Sequence, residues 1–153
     1  MIAPGDEPSS GWRLREKKLI EELAVIPGPE DRWAELMRLG RRYGGLEEAC
    51  RIDRFRVPGC VSQVWILPEV HDGLIRFRFA ADSGLVQGLV WLACRIAGGD
   101  RPGCIQDLDI NALAALDLDQ RLSPTRERGF QAVQRALCAW DRLVDRGEAG
   151  QEG

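Results

Sequence analysis

VSQVWILPEVHDGLIRFRF, residues 61–79, decides the class of the fold. Val61 to Leu67 is rich in β-branched and aromatic residues. Leu74 to Phe79 alternates, with Ile75, Phe77 and Phe79 on one side and Arg76 and Arg78 on the other. That period of two is the mark of a half-buried strand. Between the two runs, Asp72-Gly73 is a strong hairpin-turn signal. An antiparallel hairpin therefore sits at the centre of the chain, with a strand beginning near Val61. His71 reads as a turn residue, and Arg76 and Arg78 as the solvated face of the second strand.

The flanking segments are helical. From Trp12 to about Val25 good helix formers dominate, with Leu19, Ile20 and Leu23 on one side and a charged, solvated face over 13–22. Pro29 suits the first turn of a second helix, in which Trp33, Leu36, Met37, Gly40 and Tyr43 form an inward stripe until Gly44-Gly45 stops it. Asp82 or Ser83 can cap a third helix, whose face of Leu85, Val86, Leu89, Val90, Ala93, Ile96 and Ala97 is so wide that the helix must be largely buried. Ile110 to Leu116 can form a short helix. A last long helix opens at Ser123-Pro124, with Phe130, Val133, Leu137, Trp140 and Val144 inward. Helices, hairpin, helices describes an α+β fold: a small antiparallel sheet packed by helices. Residues 12–146 form one domain, and 1–11 and 147–153 read as tails.

Composition narrows the function. A chain of 153 residues can bury one real core. A net charge of -3 argues against a protein built to coat nucleic acid. No apolar run reaches the roughly 18 residues a membrane span needs, and the first residues lack the apolar stretch of a signal peptide. A reducing cytoplasm is the expected compartment.

The five cysteines, Cys50, Cys60, Cys94, Cys104 and Cys138, are odd in number and never spaced C-x-x-C. That speaks against a disulfide framework, and one histidine cannot anchor a familiar Cys/His metal cluster. Cys94 and Cys138 lie on apolar helix faces and read as small core residues. Cys60 follows Pro58-Gly59. Proline restricts Val57 to an extended backbone, and glycine takes angles other residues avoid. The thiol is then presented at a loop tip, where Arg54 and Arg56 could favour the thiolate. The local pattern equally allows a cysteine that fills the sheet's first inward position.

VPGCVSQVWI (57–66) resembles the V-x-G-C-x-S-Q-V-W segment of the SufE family, sulfur-acceptor proteins that partner cysteine desulfurases. RWAELMRLGRRY (32–43), ADSGLVQGLVWL (81–92) and RLSPTRERGFQAV (121–133) are similar to further family segments, in the same order. The Pro-Gly-Cys-Val form is similar to the cyanobacterial and plastid branch. The resemblance implies an α+β fold shared with IscU-like scaffolds. It implies that Cys60 accepts sulfur from a SufS-like cysteine desulfurase and relays it to a SufBCD-like iron–sulfur scaffold complex. The chain itself would need no cofactor, nucleic acid or membrane. Gly59, Ser62, Gln63, Asp82 and Arg126 are then candidates for shaping the cysteine loop and contacting the partner. As residues alone, Asp82 can equally be an N-cap and Arg126 a first-turn surface charge. Val61, Gln87 and Arg121 depart from the family's usual glutamine, lysine and histidine. Two other functions stay open: an iron–sulfur assembly scaffold, which needs about three convergent thiolates, and a thiol redox sensor built on one exposed cysteine.

Overall fold

The computed structural model describes residues 11–148. The expected tails lie outside them, apart from Gly11, which opens the first helix, and residues 147–148. The hairpin forms as β1 (Val64–His71) and β2 (Leu74–Ala81), antiparallel, with Val64 opposite Ala81 and Val70 opposite Ile75. Asp72 and Gly73 both take positive φ, as a two-residue turn matched to the strand twist requires. The register puts Val64, Ile66, Ile75, Phe77 and Phe79 on one face, all buried. The first strand starts at Val64, later than the sequence suggests. Val61 is 83% exposed, because residues 61–63 serve a loop rather than the sheet.

The outer face of the hairpin is not simply wet. Trp65 and Ala80 pack with Leu46, and the short 3-10 turns Glu48–Cys50 and Asp53–Phe55 lie in the segment beside them. Arg78 bridges Glu47 and Glu69 at 3.1 and 3.3 Å, while Arg76 is exposed. A residue-pair bridge between Arg56 and Trp65 adds a rudimentary third strand at the β1 edge.

Among the described residues five α-helices surround the hairpin: α1 (Gly11–Ala24), α2 (Pro29–Tyr43), α3 (Gly84–Ala97), the single turn α4 (Ala112–Ala115) and α5 (Pro124–Asp145). Helix α3 is the central pillar, buried at every residue from Gly88 to Cys94. Its cap is Ser83, whose hydroxyl accepts from the Val86 N–H, and not Asp82. Ser123 caps α5 in the same way. Helices α2 and α3 cross at glycines. A Cβ on Gly40 would lie 2.7 Å from the backbone of Gln87 and Gly88, and one on Gly88 2.9 Å from the backbone of Leu36. The two helices therefore touch backbone to backbone. Tyr43, expected on the inward stripe of α2, is 58% exposed, because α3 follows the glycine and leaves the last turn uncovered.

Buried polar groups fasten the connections. Arg15 donates to the Ile96 and Ala97 carbonyls and to Asp100. Asp141, fully buried in α5, accepts from the Gly103 and Ile105 N–H groups and from Gln106. No helix of the described residues is long and apolar enough to cross a membrane.

Candidate functional site

Two strand ends hold the segment that carries Cys60. The Val57 N–H donates to the Val64 carbonyl at 2.8 Å, which closes residues 58–63 into a loop. Asp82, just past the end of β2, clamps the same base. Its N–H donates to the Gln63 carbonyl at 3.1 Å, and its carboxylate accepts the Gln63 N–H at 3.2 Å. Among the expected residues, Gln63 and Asp82 thus act as a pair.

The loop tip folds onto α5. Gly59 has φ +88, and a Cβ there would meet the Ala132 methyl at 3.4 Å. Glycine satisfies both the backbone sign and the close fit. Cys60 is half-buried, and its S–H donates to the Gly129 carbonyl at 3.5 Å. A pocket of about 40 Å³ lies beside the sulfur. The loop residues Val61 and Ser62 form one wall, Val86 and Val90 of α3 the floor, and Arg126 and Phe130 of α5 the far side. The structure therefore brings Cys60, Ser62 and Arg126 to one pocket. Gly59, Gln63 and Asp82 shape the loop from outside it.

Electrostatics set the resting state of the thiol. Burial pushes the Cys60 pKa above its ordinary value, and Arg135 on α5 pulls the other way. The sequence pointed to Arg54 and Arg56 for this role, but Arg54 instead lies over the rings of Phe55 and Trp140. The remaining thiols are also raised. Burial acts on Cys94, the Glu47 carboxylate on Cys50, and burial plus nearby carboxylates on Cys104 and Cys138. Every thiol is pushed up, so any reactivity at Cys60 would depend on its loop and not on a depressed resting pKa. Among the described residues no three His, Cys, Asp or Glu side chains gather as a metal-holding group.

Gly129 and Arg135 were not legible as site residues, since each reads as part of an ordinary helix. The inward stripes of α3 and α5 were visible. What they conceal is that both stripes end beneath one loop. Two of the three departures noted above lie elsewhere: Arg121 pairs with Glu30 at 3.0 Å, and the Gln87 amide packs against Gly44. Val61 alone belongs to the loop.

The model of the SufE family, described as an Fe-S metabolism associated domain, matches residues 17–139. The chain belongs to the SufE family. A SufE-like protein of Synechocystis is 32% identical over 136 residues, covering 89% of this chain and 86% of that protein. One from Rhizobium meliloti is 28% identical over 125 residues, covering 78% and 89%. The chloroplastic quinolinate synthase of Oryza sativa subsp. japonica is 39% identical over 113 residues. There the match covers 72% of this chain but 16% of the longer protein. A solved structure of a hypothetical protein from Thermus thermophilus superposes with a TM-score of 0.63 over 85% of this chain and 95% of that one, at 19% identity. It supports the α+β fold. Membership in SufE ties the chain to iron–sulfur metabolism.

Proposed function

We propose that this SufE protein accepts sulfur on Cys60 from the persulfide of a cysteine desulfurase, raises that enzyme's turnover, and hands the sulfur to an iron–sulfur scaffold complex in the cytoplasm. The observation that carries the reading is the position of Cys60: a thiol on a loop pinned at both ends, resting in a shallow apolar pocket by one long hydrogen bond.

The step is a thiol exchange. Cys60 loses its proton, and the thiolate attacks the terminal sulfur of the donor persulfide. A sulfur–sulfur bond forms to Cys60 while the donor's sulfur–sulfur bond breaks. The donor cysteine leaves as a thiolate and takes up a proton. The number of sulfur–sulfur bonds is unchanged, so no outside oxidant or reductant is consumed. In the resting pocket the attack is disfavoured, because burial keeps the thiol protonated. The tip must lift from α5, which breaks the contact to the Gly129 carbonyl and exposes the sulfur to water. After transfer the loop can fold back. The pocket has room for one water-sized group and so for the added sulfur, which shelters the persulfide from oxidation.

The test is to incubate the protein with a desulfurase and cysteine and to read its intact mass. The expected result is a gain of one sulfur, absent in Cys60→Ser, together with faster turnover that the same variant loses. A Cys60→Ser protein that still gained sulfur and still stimulated the enzyme would overturn the reading.

A further inference from the structure

A second face of α3 carries an opening with no part in the Cys60 chemistry. Val86, Leu89 and Val90 look toward the thiol pocket, whereas Trp91, Cys94 and Arg95, with Gly98 just past the helix end, floor a groove of about 690 Å³ between α1, α2 and the outer edge of β2. Leu23, Leu39 and Phe77 line its walls. The volume falls in the range of real binding clefts.

The backbone of β2 says what this groove can recognise. Ile75 donates its N–H to the Asp100 carbonyl and accepts from the Gly99 N–H, so both its polar groups point away from β1. Every second residue of a strand repeats that direction. The Phe79 carbonyl does so, accepting from the Gly45 N–H. Between these two anchor points, the Phe77 N–H, the Phe77 carbonyl and the Phe79 N–H also point outward. Among the described residues they meet no protein partner. An unpaired stretch of edge inside a groove is a template for an added strand.

Charge narrows the occupant. Arg76, on the outer face of β2, and Arg95, at the groove floor, are exposed and make no ion pair among the described residues. Glu22 and Glu35 stand on the opposite wall, where Arg38 engages Glu35. A strand laid along β2 presents alternate side chains to the two faces. One set would lie beside Phe77 and Phe79 over Trp91, the other beside Arg76.

We propose that this groove takes an extended segment of a partner protein, alternating apolar and acidic residues, added as a strand along the β2 edge. It is a docking surface independent of the sulfur step.

The test uses a blocked peptide of alternating valine and glutamate, titrated into the labelled full chain while backbone amide resonances are followed. Saturable shifts are expected at Phe77 and Phe79, unchanged in Cys60→Ser. Affinity should fall about tenfold in the double variant Arg76→Glu, Arg95→Glu, and binding should vanish when the valine amides are N-methylated. The lysine counterpart of the peptide should bind more weakly than the glutamate form. Absence of shifts at these amides at peptide concentrations on the order of millimolar would overturn the proposal. So would equal binding of the N-methylated peptide, or binding of decanoate in place of the peptide, which would make the groove a site for small amphiphiles.

Discussion

The crossing of α2 and α3 and the seat of the Cys60 loop on α5 both depend on glycine, in opposite ways. At the crossing, Gly40 and Gly88 remove side chains so that two backbones touch, and nothing there can part without unfolding the pillar of the domain. At the loop, Gly59 supplies a positive φ, and the segment then rests on Ala132 and on one long S–H···O contact. The first region is held along its whole length. The second is held firmly at its base and lightly at its tip. Under the proposed transfer the molecule thus separates what must stay from what must move, within a distance spanned by one helix.

The comparison breaks most visibly at Gly88. Gly88→Val should cost more than about 3 kcal/mol, because already its Cβ meets the Leu36 backbone and not a yielding side chain. Urea unfolding would show it as a lower midpoint, and a variant of ordinary stability would mean that the crossing has slack. Asp82→Ala should cost about 1 kcal/mol, the worth of one hydrogen bond. Because that bond clamps the loop base, the same variant should make Cys60 react several-fold faster with iodoacetamide; an unchanged rate would show that Asp82 does not restrain the loop. The smallest effect is one of pH. Burial raises the Cys60 pKa, so the thiolate fraction keeps growing with pH beyond the ordinary thiol value of about 8.5. Alkylation of the free protein should therefore climb through that region without levelling off. Arg135→Gln should move the curve to higher pH, since it removes the cation that favours the thiolate. A curve that levels off just above the ordinary thiol value would show a tip that already stands open.

The architecture was readable where local chemistry and burial agree. The Asp72-Gly73 turn, the alternation through Ile75, Phe77 and Phe79 and the Ser123-Pro124 start each name a structure on their own. So does the wide apolar face of α3. Boundaries failed where tertiary demands overrode propensity. Val61 is a good strand former that the loop claims, and Tyr43 keeps the helical spacing but lies beyond the α2–α3 crossing, with the Arg42 guanidinium over its ring. Asp141 has the look of a surface residue on a charged helix, yet it is fully buried because the Gly103–Gln106 segment wraps onto it. No pattern in one sequence announces such a partner. At the site, the turn chemistry of Pro58-Gly59 leaves Cys60 evenly poised between a presented thiol and a sheet residue, and only the family resemblance singles it out. The pairing of Asp82 with Gln63, the carbonyl of Gly129 and the charge of Arg135 arise only when distant segments meet.

The bond between Val57 and Val64 has a consequence for geometry. It fixes the two feet of the loop, so the sulfur works on a tether three residues long. A fully stretched tether of that length reaches roughly 10 Å from its anchor. A donor persulfide recessed farther than that from the surface that meets the feet would stay out of reach, whatever its affinity. Under the proposed sulfur transfer the loop would act as a depth gauge, selecting partners by how deep their sulfur is kept. Lengthening it by inserting residues after Ser62 would be the direct way to change the setting.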